Sequence, residues 1–198
     1  MSKPHSVAHR RKQKAKEQQQ KKIIFIGGAG LALVLLGILL WMSMQPASSQ
    51  TASGIPAPVQ PGNPAPNFEL KTLDGTTAAL QDYAGEVVLI NFWATWCPPC
   101  KAEMPDLNDY YLANQDKGFT ILGINAQEDQ ATVNKFIQAT GFSFPILLDS
   151  FGKVASQYQV HSYPTTIVVG RDGEIKYIHN GMISPAQLES IVTPLLAG

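Results

Sequence analysis

The stretch from Glu86 to Cys100, "EVVLINFWATWCPPC", narrows most what this chain can fold into. From Val87 to Trp93 it is apolar at every position but Asn91. A strand that alternates apolar with polar residues can lie on a surface, whereas an unbroken apolar run needs cover on both faces. The run then meets two adjacent prolines, Pro98 and Pro99. Proline has no amide hydrogen to give to a ladder but fits the first turn of a helix, where those hydrogens have no intrahelical acceptor. The stretch therefore predicts a central strand leading directly into a helix.

Further extended and helical segments follow the same logic. "NFEL" and "TTAAL" flank Asp74-Gly75, a turn pair that predicts an N-terminal hairpin. A helix is expected from Pro98 to about Gln115, bent where Pro105 removes a donor. "FTILGINA", Phe119 to Ala126, reads as a second buried strand. "QATVNKFIQATG" reads as a helix with apolar residues at Val133, Phe136 and Ile137 and a stop at Gly141. "PILLD" is a short strand and "GKVASQYQ" a short helix. "TTIVVG" and "EIKYIHNG" flank Arg171-Asp172-Gly173 as a second hairpin, and Ser184 caps a closing helix with Pro185 at its first position. The pattern indicates an α/β fold with a mixed sheet flanked by helices.

Before this domain the composition changes twice. Residues 1–22 hold eight of the chain's fifteen Lys and Arg and one of its fifteen acids, Glu17, a basic arm expected to stay cytoplasmic. Residues 23–44, "IIFIGGAGLALVLLGILLWMSM", carry no charge. As a helix they would extend about 33 Å, against about 30 Å of bilayer hydrocarbon. A cleaved signal peptide usually has a shorter apolar core of about 7 to 15 residues. The stretch is therefore read as an uncleaved transmembrane signal anchor. Residues 45–66, rich in Pro, Ser, Ala and Gly, are read as a linker, and residues 67–198 as the folded domain. The expected location is a single-pass cell-membrane protein with its folded domain outside the cytoplasm. Seven basic and fourteen acidic residues lie beyond Met44, a net charge of about −7 that argues against binding nucleic acid.

Cys97 and Cys100 are the only cysteines. Cys97 falls at the cap position of the predicted helix, where the positive end of the helix favours thiolate over thiol, and the thiolate is the nucleophile of disulfide exchange. Cys100 follows one turn later, within reach of a mixed disulfide formed at Cys97. The pair can shuttle two electrons unaided, so no cofactor is expected. A zinc site would need two more ligands, and beyond the span only His161 and His179 remain, so no metal is expected. Haem attachment would need His where Lys101 stands. A structural disulfide here would close only a four-residue ring and constrain the unfolded chain little. The prolines bear on redox poise as well. Pro99 removes one of the amide donors that would stabilise a cap thiolate, which favours a reductant over an oxidant.

"NFWATWCPPC", the following "KAEMP", "YPTT" at Tyr163 to Thr166 and "PAPNFEL" with "LDG" together resemble the thioredoxin fold. They resemble most closely its membrane-anchored TlpA/ResA branch of extracytoplasmic thiol-disulfide oxidoreductases. The resemblance covers about Pro64 to Leu196 and implies a thioredoxin-like mixed sheet with an inserted strand-helix unit, assigned to Phe119 to Gly141. It implies that Cys97 is the nucleophile and Cys100 the resolving thiol. It also implies a cis Pro164 beside them, with the Tyr163 backbone pairing to substrate, and Trp96 reads as an exposed, substrate-facing platform beside the Cys97 sulfur. Asn91 stands where plain thioredoxin has a buried Asp, and Glu103 looks like the proton-handling acid this branch uses instead; otherwise Glu103 would be an exposed first-turn carboxylate. Trp93 reads as core, and His161 as a weaker candidate for a direct role. The resemblance further implies protein disulfide substrates, apocytochrome c among them, and a membrane electron donor of the CcdA/DsbD type. Two rivals stand beside this reading. One is a peroxiredoxin-like thiol peroxidase, although that family carries Thr three residues before its reactive Cys and Thr95 stands two before Cys97. The other is a redox-inert binding module that keeps the fold alone.

Overall fold

A computed structural model of the protein describes residues 58–197. The basic arm and the proposed membrane span lie outside them. Among the described residues no helix is long and apolar enough to cross a membrane.

Seven strands form one mixed sheet. They are β1 (Glu69–Thr72), β2 (Thr77–Ala79), β3 (Val87–Trp93), β4 (Phe119–Ala126), β5 (Ile146–Asp149), β6 (Thr165–Val169) and β7 (Ile175–Asn180), in the order β2-β1-β5-β4-β3-β6-β7. β3, β4 and β5 are parallel neighbours, whereas β1 and β2 at one edge and β6 and β7 at the other pair antiparallel. The predicted central strand is central: every residue of β3 is buried, as is every residue of β4. The stretch Phe119 to Gly141 forms β4 and the helix after it.

The helices are α1 (Pro98–Asn114), α2 (Gln130–Thr140), α3 (Lys153–Gln157) and α4 (Pro185–Leu196). Alternate residues of β3 serve different layers. Val87, Leu89 and Trp93 pack with Met104 and Leu107 of α1, Val133 of α2, and Leu188 and Val192 of α4. Val88, Ile90 and Phe92 pack on the other face with Val154 and Ala155 of α3, Tyr158 and Phe68. Fully burying one such side chain is worth about 1.5 to 3 kcal/mol, which is why a single polar interruption, Asn91, stands out. α1 runs through Pro105 as one helix.

Both hairpins form as read. Gly75 takes a φ of +85°, and Asp74 accepts hydrogen bonds from the amide and hydroxyl of Thr76. Gly123 of β4 lies opposite Asn91, where a side chain would meet the Phe144 ring at 2.8 Å.

The amino-terminal edge differs from the compositional reading. Residues 62–66 had the look of linker, yet they run beside the start of β7. Gly62 N–H donates to Ile175 O, Ile175 N–H to Asn63 O and Ala65 N–H to Gly173 O. Pro64 bridges Glu174, and Tyr158 Oη–H donates to Pro66 O. The open edge of β7 presents unpaired backbone groups, and a Pro-rich segment can satisfy them without continuing a ladder.

Candidate active site

The turn from β3 into α1 carries the two cysteines. Cys97 is the cap residue in extended conformation (φ −90°, ψ 105°), followed by Pro98 and Pro99 at the first two helical positions. Its sulfur accepts a hydrogen bond from the Cys100 amide at 3.2 Å. The two sulfurs are joined in a disulfide, S–S 2.06 Å, and both residues are buried. The second helical position has no amide hydrogen, so the cap sulfur receives only the third.

Glu103 is not the exposed first-turn carboxylate that its position could have made it. It is 1 % exposed, on the inward stripe of α1 with Cys100, Met104 and Leu107. Asn91 Nδ2 donates to its Oε1 and the Ile183 amide to its Oε2, each at 2.8 Å. Loss of water raises its pKa to about 7 from 4.5, and the two donors pull it only partly back. A carboxylate with that pKa can both take and give a proton near neutral pH. Asn91 also donates to Thr166 Oγ1 of β6 at 3.2 Å, so the strand-borne amide links Glu103 to the "YPTT" segment.

The Tyr163-Pro164 peptide is cis. The Tyr163 ring meets the Trp96 indole edge to face at 6.0 Å, so the loop before β6 and the residue before Cys97 touch. Trp96 is 63 % exposed, whereas Trp93 is wholly buried against Phe136. His161 is exposed in the same loop. The carboxyl ends of β3, β4, β5 and β7 and the start of β6 share one end of the sheet. Phe151 after β5 and Met182 after β7 are exposed there too, so three of the four exposed large apolar side chains among the described residues are at the end that holds the disulfide.

One carboxylate at this end escaped the sequence reading. Glu128, after β4, accepts from the Thr95 amide at 2.7 Å, from the Thr95 hydroxyl at 2.5 Å and from Asn125 Nδ2 at 2.7 Å. It holds the loop two residues ahead of Cys97. The available signal was its place at the carboxyl end of a buried strand beside the cysteine strand, where α/β sheets put their sites.

A buried strand that delivers a dithiol to a helix start, faced by a cis-proline loop and backed by a buried acid of near-neutral pKa, defines a thiol-disulfide oxidoreductase of the thioredoxin fold. Residues 61–178 match the AhpC/TSA family. The thiol-disulfide oxidoreductase ResA of Geobacillus kaustophilus is 39% identical over 128 residues, 65% of this chain and 74% of that one. The thioredoxin-like protein YneN of Bacillus subtilis is 37% identical over 165 residues, 81% and 93% of the two chains. Among solved structures, a thiol:disulfide interchange protein of the thioredoxin family from Chlorobium tepidum superposes with a TM-score of 0.62 at 29% identity, covering 71% of this chain and 99% of that one. The chain belongs to the AhpC/TSA family and, within the thioredoxin superfamily, to the ResA-like thiol-disulfide oxidoreductases.

Proposed function

We propose that this oxidoreductase is a membrane-anchored reductant of disulfides in exported proteins, with its catalytic domain on the extracytoplasmic side. The observation that carries the chemistry is the Cys97–Cys100 disulfide at the start of α1 with buried Glu103 one turn further on. In the reduced protein the Cys97 thiolate attacks one sulfur of a substrate disulfide. A mixed disulfide forms, and the first substrate thiolate leaves and takes up a proton. Glu103 accepts the proton of Cys100, whose thiolate attacks Cys97 Sγ and releases the second substrate thiolate. Two electrons pass to the substrate, and the enzyme is left as its own disulfide. Trp96, Tyr163 and Pro164 are the surfaces a substrate polypeptide would meet.

The reductant direction is supported by the cap: Pro99 leaves the Cys97 sulfur one donor short, and a less stabilised thiolate gives up its electrons more readily. Regeneration would fall to a membrane electron donor of the CcdA/DsbD type. Apocytochrome c, with its haem-site cysteine pair, is the substrate the TlpA/ResA resemblance favours, and the anchor is supported by the uncharged residues 23–44. The test is to equilibrate the full chain with glutathione and to trap partners with Cys100→Ser. A potential near the roughly −270 mV of thioredoxin and trapped apocytochrome c are expected, and a potential of about −150 mV or higher removes the reductant reading.

A thiol peroxidase is less well supported, since Thr95 gives its hydroxyl to Glu128 and Trp93 is packed in the core. Peroxide turnover would distinguish it. Retained function in cells after replacing both cysteines by Ser would favour the redox-inert module.

A further inference from the structure

Three buried side-chain atoms of the described residues have no protein partner: Asn91 Oδ1, Trp93 Nε1 and Asn125 Oδ1. All three residues are wholly buried, and they share one patch of the sheet. Asn91 and Trp93 are two apart on β3 and face the same way, and Trp93 is in register with Asn125 on β4. Residues two apart on a strand are separated by about 6.7 Å and in-register residues on neighbouring strands by about 4.8 Å, within reach of side chains of this size.

Carboxylates fix how both amides are turned. Asn91 gives its NH₂ to Glu103 and Asn125 gives its NH₂ to Glu128, and reversing either amide would set oxygen against carboxylate oxygen. Two acceptors and one donor are left. That set is the complement of one water molecule, which accepts from the indole N–H and donates to both amide oxygens; about three bonds is typical of buried water. Leaving the atoms bare would make this patch, directly behind the cysteine turn, an unusual concentration of unsatisfied groups.

We propose that Asn91, Trp93 and Asn125 bind one ordered water, and that this water makes Glu128 a positioning residue for disulfide exchange by linking it to Glu103. The bonded chain then runs from Glu103 through Asn91, the water and Asn125 to Glu128, and from Glu128 to the amide and hydroxyl of Thr95. Glu128 acts through the loop that carries Cys97. A change of charge on Glu103 repolarises the chain and alters the hold on Thr95. The coupling rests on the reading of Glu103 as the proton carrier, whereas the water site does not.

Two measurements on the full chain test this. A crystal structure that resolves ordered solvent is expected to place one water within hydrogen-bond distance of all three atoms, and no water there overturns the proposal. Exchange rates with a peptide disulfide are then compared for Glu103→Gln, Glu128→Gln and the double variant. Glu128→Gln, which loosens the Thr95 loop ahead of Cys97, is expected to slow exchange about tenfold by misplacing the reacting sulfur. The double variant is expected to depart from the product of the single effects by about threefold or more. Trp93→Phe, which keeps a ring against Phe136 but loses the indole N–H, should abolish that departure. Independent effects overturn the coupling. An unchanged rate in Glu103→Gln overturns the proton-carrier reading and the coupling together, and the water site is then decided by the crystal structure.

Discussion

Burial raises the pKa of Glu103 to about 7, so folding favours its protonated form. Its contribution to stability is therefore fully present below the unfolded value near 4.5 and is lost as pH rises through about 7. Relative to Glu103→Gln, the wild-type chain should lose up to about 3 kcal/mol between pH 4.5 and pH 8, measured by denaturant unfolding at each pH. The same variant should flatten the pH-rate profile of exchange near neutrality. Glu103 was legible through the resemblance, which sets it one helical turn past Cys100 and Asn91 in the place of a buried Asp, whereas its own position on a first turn fits an exposed carboxylate equally well. Glu128 was not, because Thr95, the residue it holds, lies 33 positions earlier in the chain and is brought to it only by the pairing of β3 with β4.

At the scale of elements, the start of α1 sets the poise of the dithiol. Pro99→Ala restores an amide donor to the cap sulfur. It should lower the Cys97 pKa, read from the pH dependence of alkylation, and shift the glutathione equilibrium toward the less reducing side by roughly 30 mV, one charge-assisted hydrogen bond's worth. The cap of α4 reaches the same site from the other direction. Ser184 Oγ accepts from the Gln187 amide, and the residue before it, Ile183, gives its own amide to Glu103. Ser184→Ala should cost about 1 kcal/mol in thermal or denaturant unfolding. Strands β3 and β4 were readable because burial on both faces leaves an apolar run, and both hairpins because Asp-Gly pairs mark their turns. Residues 62–66 were not, because proline and glycine look alike in a free linker and in a segment that closes a sheet edge.

Among the described residues, exposed large apolar side chains concentrate at one end of the sheet. Trp96, Phe151 and Met182 lie around the disulfide end, on a domain region that is otherwise acidic. Replacing Trp96 by Ser should lower kcat/KM for a protein disulfide several-fold while leaving reduction of a small disulfide such as cystamine nearly unchanged, since only the larger substrate covers that surface. The anchor reading makes its own prediction. The full chain should sediment with membranes and resist salt extraction, and deletion of residues 1–44 should release it.

The segment at residues 62–66 enters beside the first residues of β7, whereas the disulfide lies past the last residues of the parallel strands, at the opposite pole. Pro58 O accepts from Asn63 Nδ2 at 2.8 Å, so a surface or reporter coupled through residue 58 would hold every copy by the pole remote from the thiols. On an electrode or sensor chip, that handle would present the redox pair outward in a uniform orientation, without a linker crossing the working end.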